Sequence, residues 1–211
     1  MPNYCSNKLV IKGPKAALAK FAATLGEGGE FLLAQTHPVP EAFTEISCGG
    51  CHINGKMVAN WRVTADGKSV EISAKELSAL KRKYGATNWY DWCIKHWGTK
   101  WDVPSDTVLT VGEKEIYGWF DTAWAPPVKW LVYVSKEFPT LTFTLYFSEG
   151  GVGFYGSFSA KNGSAKDSTK EDFWEDSDPI DSNDSEDYDP ESNLTKGCKE
   201  FIHNHGLHIG G

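Results

Sequence analysis

Two cysteine-containing motifs have the spacing of metal ligands. Cys48 and Cys51 are separated by two glycines, and Cys93 and His96 are separated by two residues, which places them one helical turn apart. A Cys-x2-Cys…Cys-x2-His set is typical of tetrahedral zinc sites. The structural alternative is that Cys93 and His96 are core residues of a helix, while Cys48 and Cys51 lie in a loop. The sequence therefore predicts either no cofactor or one zinc ion.

A second candidate site combines aromatic and charged side chains at a junction between two elements. A predicted strand ends at Asp121, Thr122 and Trp124, and the pair of prolines that follows is expected to begin a helix. Free N–H groups at a helix N-terminus favour an anion, and a flat ring beside them suits a nucleotide base. Lys100 and Trp101 offer a cation and another flat ring. These five residues form the predicted ligand site, and the structural alternative is that Trp124 only plugs the junction between sheet and helix.

Recognised catalytic motifs are missing from the sequence. It contains no Gly-x-Ser-x-Gly, no His-Glu-x-x-His, no phosphate-binding glycine loop and no dinucleotide-binding fingerprint. His96 has Asp91, Asp102 and Asp121 as candidate acid–base partners, but a histidine on an aromatic helix face is more often a core residue. The sequence therefore favours a non-enzymatic protein and predicts no catalytic residue.

The element that must position many of these residues is a short helix rich in tryptophan. Residues 84–102 hold four of the nine tryptophans of the chain. Thr87 is a suitable N-cap, and Gly98 is suited to the left-handed end of the helix. One helical face carries Trp89, Trp92, Cys93, His96 and Trp97. We predict that this face is buried and that Lys100 and Trp101 follow the helix.

Two strand–helix units and two hairpins predict the fold class. A strand around Leu9 and Ile11 precedes a helix over 14–25, and a strand over 116–122 precedes a helix over 127–138. Turn signals at Asp66-Gly67 and Gly150-Gly151 connect strands into hairpins over 58–72 and 140–159. We predict an α+β, ferredoxin-like fold: four or five antiparallel strands with helices on one face, an inserted segment and an acidic C-terminal extension.

The C-terminal part of the chain changes in composition. Residues 167–191 hold twelve Asp or Glu and one lysine. Such a run is usually solvated and mobile, or it occupies a basic surface as a polyanion. An amphipathic helix follows and has an apolar face with which to dock on the domain. The predicted organisation is a ferredoxin-like domain at 1–160 with an insertion at about 31–72, an acidic linker at 161–192, and a C-terminal docking helix at 193–211.

Four segments resemble the Api92-like/YubB family of ferredoxin-like proteins. They are residues 1–7, Asn88–Asp102, Phe120–Pro127 and Glu149–Gly156. The resemblance covers residues 1–25 and 84–160, whereas 31–72 and the acidic segment differ from the family's pattern. It implies a ferredoxin-like fold and an accessory protein of a phage or plasmid. No biochemical activity follows from it, because the family has long been described as a domain of unknown function.

Composition restricts the compartment and the partners. The formal net charge is −7 and no basic run stands out, so direct nucleic-acid binding is not expected. No apolar run approaches the roughly 18 residues of a membrane span, and no signal peptide is recognised. Five cysteines, an odd number, favour reduced thiols. We therefore expect a cytoplasmic protein of an infected or plasmid-bearing bacterial host.

Two functions of different class fit these features. The first is a counter-defence protein that binds a small nucleotide-like ligand and so sequesters an immune signal; it requires a concave aromatic pocket near Trp101 and Trp124. The second is an inhibitor that binds a host defence protein and uses its acidic surface or tail as a nucleic-acid mimic. The second function predicts an ordered tail and a core without a pocket.

Overall fold

The computed structural model describes residues 3–175 and 191–209, which contain two antiparallel sheets and the helices that pack on them. The strands are β1 (Tyr4–Lys12), β2 (Ser47–Ile53), β3 (Lys56–Val63), β4 (Ser69–Glu71), β5 (Thr110–Val111), β6 (Glu115–Ala123), β7 (Thr142–Glu149), β8 (Phe154–Lys161) and β9 (Ser164–Lys170). The α-helices are α1 (Lys15–Ala22), α2 (Ala74–Tyr84), α3 (Trp89–His96), α4 (Val128–Glu137) and α5 (Lys196–His205).

The larger sheet has the ferredoxin-like topology. Its strand order is β5-β6-β1-β7-β8-β9. β1 pairs antiparallel with both β6 and β7, so β6 and β7 are parallel to each other and are connected through α4. β5 pairs antiparallel with β6 and is therefore parallel to β1, which gives a second split β-α-β unit. β5 is reduced to two residues, and the β8–β9 hairpin extends the sheet beyond β7.

Helices α1 and α4 cover one face of this sheet. The ring of Phe21 in α1 contacts Phe138 at the end of α4 and Phe143 in β7, with centroids 5.4 and 5.6 Å apart. Trp130 of α4 also packs against Phe143. These rings belong to one buried cluster together with Leu9 and other inward-facing residues of the central strands. The predicted α+β, ferredoxin-like fold with these two helices on one face is confirmed.

The opposite face of the sheet is partly covered by α5. Tyr155 of β8 forms a second buried cluster with Phe173, Cys198 and Ile202. Thr195 caps α5 by accepting a hydrogen bond from the Cys198 N–H, which fixes the start of the helix. The helix leaves the β5 side of this face open.

A long insertion lies between α1 and β5. It contains the small sheet β2-β3-β4 and helices α2 and α3. The hairpin predicted around Asp66-Gly67 is confirmed, because Val63 pairs with Ser69 and the Gly67 N–H donates to the Thr64 carbonyl. α2 begins at a side-chain cap, where the Ser73 hydroxyl accepts from the Glu76 N–H at 3.2 Å.

The C-terminal part differs in one respect from the predicted organisation. Residues 164–170 form the edge strand β9 where the sequence predicted the start of an acidic linker, so the large sheet has six strands rather than four or five. The side chains of this edge strand are exposed, and its backbone pairs along the whole of β8. Residues 176–190 of the predicted linker lie outside the described residues. Within 3–175 and 191–209, no helix has the length and apolar character needed to cross a membrane.

Candidate functional site

A cavity of about 580 Å³ opens between the small sheet and the ferredoxin-like domain. Its lining comes from β2 and β3, from the start of α3, from the loop that follows α3, and from the end of β6. The lining residues are Cys48, Gly49, Ala59, Asn60, Asn88, Trp89, Tyr90, Asp91, Lys100, Trp101 and Trp124. Three of the five predicted ligand-site residues, Lys100, Trp101 and Trp124, therefore meet in one cavity.

Lys100 is surrounded by aromatic rings. Its Nζ lies 4.3 Å from the ring centroid of Trp101, 4.7 Å from that of Trp124 and 5.7 Å from that of Tyr90. Each contact of this kind contributes about 0.5–2 kcal/mol, depending on how far the cation is removed from water. Trp101 and Trp124 remain 40% exposed. Part of each ring therefore stays available to a ligand.

Trp124 has an unusual backbone conformation. Its φ is +67°, a region that bulky residues avoid because Cβ crowds the following carbonyl. The turn is held on both sides: the Trp124 N–H donates to the Asn3 carbonyl at 2.9 Å, and the Thr122 hydroxyl donates to the Ala125 carbonyl at 2.8 Å. Residues kept in strained conformations are concentrated at functional sites. This conformation directs the indole over Lys100.

The segment that carries Lys100 and Trp101 is fixed at both ends. Before it, the buried Thr99 hydroxyl donates to the Ala123 carbonyl at 3.0 Å. After it, the Asp102 carboxylate accepts from the N–H groups of Leu33 and Ala34 at 2.7 and 3.1 Å. Burial raises the pKa of Asp102, although these N–H groups oppose the shift. The two hydrogen-bonding residues hold the cation and its rings in place.

Polar groups from the small sheet and α3 complete the cavity. Asn88, and not the predicted Thr87, is the N-cap of α3: its Oδ1 accepts from the Asp91 N–H at 2.8 Å, and its Nδ2 donates to Oδ1 of Asn60 at 2.8 Å. Asn60, Asn88 and Tyr90 were not among the site residues predicted from the sequence. Tyr90 and Asn88 lie within the tryptophan-rich segment, but only the fold shows that they line the same cavity as Lys100.

Two of the predicted ligand-site residues do not line this cavity. Thr122 is buried, and its hydroxyl also accepts from Nδ2 of Asn7 at 2.9 Å, so it supports the turn beneath Trp124. Asp121 points to the opposite face of the sheet, where its Oδ1 lies 2.9 Å from Nε2 of His208. Neighbouring residues of a strand face opposite sides of the sheet, which is why the two side chains separate.

The predicted anion site at the start of α4 is largely occupied by the chain itself. The Val128 N–H donates to the Pro126 carbonyl at 2.8 Å, and the Trp130 N–H donates to the Trp97 carbonyl at 3.1 Å. Gly98, at φ +93°, allows this close approach, since an added Cβ would lie 3.3 Å from the Pro126 oxygen. Lys100 is therefore the group on which an anion in the cavity would depend.

The predicted zinc ligands are not gathered into one group. His96 is hydrogen-bonded to the Tyr84 carbonyl at 3.3 Å and stacks on Trp92, and Cys51 pairs with Val58 on β3. Cys93 is buried, and burial is the main reason why the pKa of its thiol is raised to about 12. The nearby Asp102 and Cys48 raise this pKa further. In the part of the chain that the structure describes, no three His, Cys, Asp or Glu side chains are close enough to hold a metal ion. The arrangement does not fit a zinc site, and zinc binding stays a prediction.

Comparison with family models agrees with the ferredoxin-like fold. Residues 96–189 match the family model described as the ferredoxin-like domain in Api92-like protein. Among solved structures, protein api92 from Yersinia pseudotuberculosis shares 12% identity with a TM-score of 0.48, and the alignment covers 81% of this chain and 98% of that chain. A comparison with curated proteins finds no match. The predicted resemblance to this family is confirmed.

Proposed function

We propose that this chain, whose residues 96–189 match the model of the ferredoxin-like domain in Api92-like protein, is a non-enzymatic protein that binds a small nucleotide-like ligand in the cavity around Lys100. Such a ligand carries a flat heterocyclic ring and at least one phosphate. The volume of the cavity lies within the range of about 300–1,000 Å³ that is usual for small-molecule sites.

The observation that carries this proposal is the ammonium of Lys100. It is held by π faces, and within residues 3–175 and 191–209 it forms no ion pair with a carboxylate. A cation held in this way keeps its charge available, because quadrupoles of aromatic rings do not neutralise it. The same charge repels a cationic ligand. An anion is therefore the expected occupant.

The rings indicate that the anion has a flat part. Trp101 and Trp124 each present an indole that is 40% exposed at the cavity. Stacking of one base on an aromatic side chain contributes about 1–3 kcal/mol. The two indoles and the ammonium between them match a heterocyclic base joined to a phosphate.

The remaining lining groups suit the polar edges of such a ligand. The side-chain amide of Asn60 and the carboxylate of Asp91 lie on the side contributed by β3 and α3. An amide pairs with a base edge, and a carboxylate accepts from amino or hydroxyl groups. A smaller cavity of about 310 Å³ shares Trp89, Lys100 and Trp101 with the first, so a ligand of more than one nucleotide has adjoining space.

Binding is favoured over catalysis because the nucleophilic side chain in the cavity is not activated. Burial raises the pKa of the Cys48 thiol, which keeps it protonated near neutral pH, and the thiol rather than the reactive thiolate is present. Sequestration of a ligand needs only affinity. In the phage or plasmid setting that the resemblance implies, we propose that the captured ligand is a nucleotide signal of host immunity.

Thermal denaturation with nucleotides tests the proposal. The panel contains 3′,5′-cyclic AMP and GMP, cyclic di-AMP, cyclic di-GMP and the linear mono- and dinucleotides. A ligand at one hundred times its Kd stabilises the folded state by about 2.7 kcal/mol. For a chain of this length, this raises Tm by about 5–11 °C.

Two pairs of variants locate the site. Lys100→Ala and Trp124→Ala should remove the shift. Lys20→Ala, on the exposed side of α1, and Trp119→Ala, whose indole is 45% exposed on the other sheet face, should keep it. If no compound raises Tm by more than about 1 °C at 1 mM, the nucleotide-binding proposal fails. If Trp119→Ala loses the ligand-induced rise in Tm as completely as Trp124→Ala does, the ligand binds outside the cavity around Lys100.

A further inference from the structure

The sheet face opposite α1 and α4 presents aromatic and basic side chains side by side. We call it the open face, and it consists of alternate residues of five strands. Strand pairing places Trp119, Lys8, Tyr146, Ser157 and Ser168 in one row across the sheet. The next row contains Tyr117, Val10, Thr144, Ser159 and Lys166. With strands about 4.8 Å apart, five strands span roughly 19 Å.

The aromatic side chains that border the groove of the open face lie on β6 and β7. Trp119 is 45% exposed and meets Tyr117 at a centroid distance of 5.7 Å, with nearly perpendicular rings. Tyr146 is stacked by His205 of α5 at 3.8 Å, so α5 covers one end of the face. A groove of about 350 Å³ runs between these rings, Lys8 and Lys12. Flat rings are thus exposed next to cations.

Lysines outnumber carboxylates on the open face. Lys8 and Lys12 come from β1, Lys161 from β8, and Lys166 and Lys170 from β9. Glu115 and Asp121 are the acidic residues of the same strands that face this side, and they pair with Lys12 and His208 respectively.

Four of these lysines keep their charge available. Within the described ranges, Lys8, Lys161, Lys166 and Lys170 have no carboxylate at ion-pair distance. Lys8 instead lies 4.9 Å above the ring of Trp119. Counted over the residues of these strands, the open face is locally positive, although the formal net charge of the whole chain is −7.

We infer that the open face binds single-stranded nucleic acid. Proteins that bind single strands combine cations that follow the backbone with aromatic side chains on which bases stack, and a sheet surface is one scaffold for this arrangement. Here Trp119 and Tyr117 supply the stacking rings, and the lysines of β8 and β9 lie where the phosphates of a strand crossing the sheet would pass. A duplex does not fit this role, because its bases are already stacked and paired.

The sequence did not suggest this surface. The lysines are spread from residue 8 to residue 170, and they are gathered only by the pairing of β1, β7, β8 and β9. The cavity around Lys100 is a separate site, since none of its lining residues belongs to the open face.

Fluorescence anisotropy with labelled dT10 and rU10 tests the inference on the full chain. Binding of one or both oligonucleotides is expected at 50 mM salt, with an affinity that decreases as salt is raised because phosphate contacts release counterions. A DNA preference and an RNA preference both agree with the inference, and the two probes distinguish them. Binding of neither would overturn it.

Variants separate local contacts from overall charge. Lys161→Glu/Lys166→Glu should weaken binding at least tenfold. Lys15→Glu/Lys20→Glu makes the same change of net charge on the exposed side of α1 and should change binding less than twofold. Equal losses in the two double variants would show that binding follows total charge, and the inference would fail.

The stacking role is tested at Trp119. Its Nε1 donates to the His205 carbonyl at 3.1 Å, so Trp119→Ala also disturbs the docking of α5. Trp119→Phe removes that hydrogen bond and keeps a ring. We expect a loss of five- to tenfold for Trp119→Ala and less than threefold for Trp119→Phe and for the cavity variant Trp124→Ala. A polyglutamate peptide that competes as well as dT10 would contradict base recognition.

Discussion

Replacing either of two tryptophans by alanine separates a structural role from a binding role. Trp92 lies in the middle of α3 and is 3% exposed, whereas Trp124 lies at the end of β6 and is 40% exposed. We expect Trp92→Ala mainly to unfold the protein. Trp124→Ala should mainly abolish ligand binding.

The expected size of each effect follows from the contacts. Trp92 stacks on His96 with centroids 4.6 Å apart and meets His37 at 4.9 Å and Trp97 at 5.7 Å. Truncating such a buried ring costs about 3–5 kcal/mol, which includes the energy of the cavity left behind. Trp124 loses fewer contacts, and water fills the space left at an open surface, so its truncation should cost only about 1–2 kcal/mol.

Melting temperature converts these energies into a measurement. At about 2–4 °C per kcal/mol, Tm should fall by about 6–20 °C in Trp92→Ala and by about 2–8 °C in Trp124→Ala. Isothermal titration calorimetry with the nucleotide that stabilises the wild-type protein then measures binding. Trp124→Ala should lose it, and Trp92→Ala should retain it at a temperature where the variant is folded.

A glycine variant tests the backbone argument at the same position. Trp124→Gly removes the same indole, but glycine adopts a φ of +67° without strain. For a residue with a side chain, this conformation costs about 1–2 kcal/mol. Trp124→Gly should therefore melt above Trp124→Ala and should equally fail to bind. If Trp124→Ala melts at as low a temperature as Trp92→Ala, Trp124 is a core residue, and the proposal that the cavity binds a nucleotide through its indole fails.

Three further outcomes follow from individual contacts. Thr122→Val keeps the shape of the side chain but removes the hydroxyl that joins Asn7 to Ala125; we expect urea unfolding to show a loss of about 1–2 kcal/mol, together with weaker nucleotide binding. The pKa of His37 is lowered from 6.5 to about 4, mainly by burial and then by the charge of His96, so the unfolded chain takes up a proton at a higher pH than the folded chain does. The free energy of unfolding should therefore fall as pH drops from 6.5 towards 4. His37→Gln should flatten this part of a profile of Tm against pH. The hydrogen bond to Asp121 raises the pKa of His208 above 6.5. The stabilisation of the folded state by protonated His208 is complete below pH 6.5 and is lost as pH rises through the pKa of the folded protein. The Tm difference between wild type and Asp121→Asn should therefore shrink at high pH.

Local sequence signals were sufficient for most of the fold. The Asp66-Gly67 turn depends on residues close together in the chain, and the structure has the predicted hairpin. The alternation of apolar and polar residues along residues 140–159 correctly predicted the β7–β8 hairpin. The two strand–helix units and the hairpins together predicted the ferredoxin-like fold, and the resemblance to the Api92-like family implied the same fold.

The candidate site was only partly predictable. Lys100, Trp101 and Trp124 stood out because tryptophan is rare and because each lies just outside a predicted element. The separation of Asp121 from Thr122 depends on which face of β6 is turned to the helices, and that depends on its pairing with β1. The small sheet brings Asn60 of β3 to the cavity, although no residue of that strand was predicted to bind a ligand.

The sequence by itself therefore determined the elements and the tryptophan-rich segment, because turn, cap and periodicity signals act over a few residues. Tertiary structure decided which side chains meet. It held Lys100 between rings from the α3 loop and the end of β6, and it left the predicted zinc ligands apart. It also gathered lysines from β1, β8 and β9 on one face. These juxtapositions depend on strand register between distant segments, which is fixed by burial of the whole inner face of the sheet and not by any local pattern.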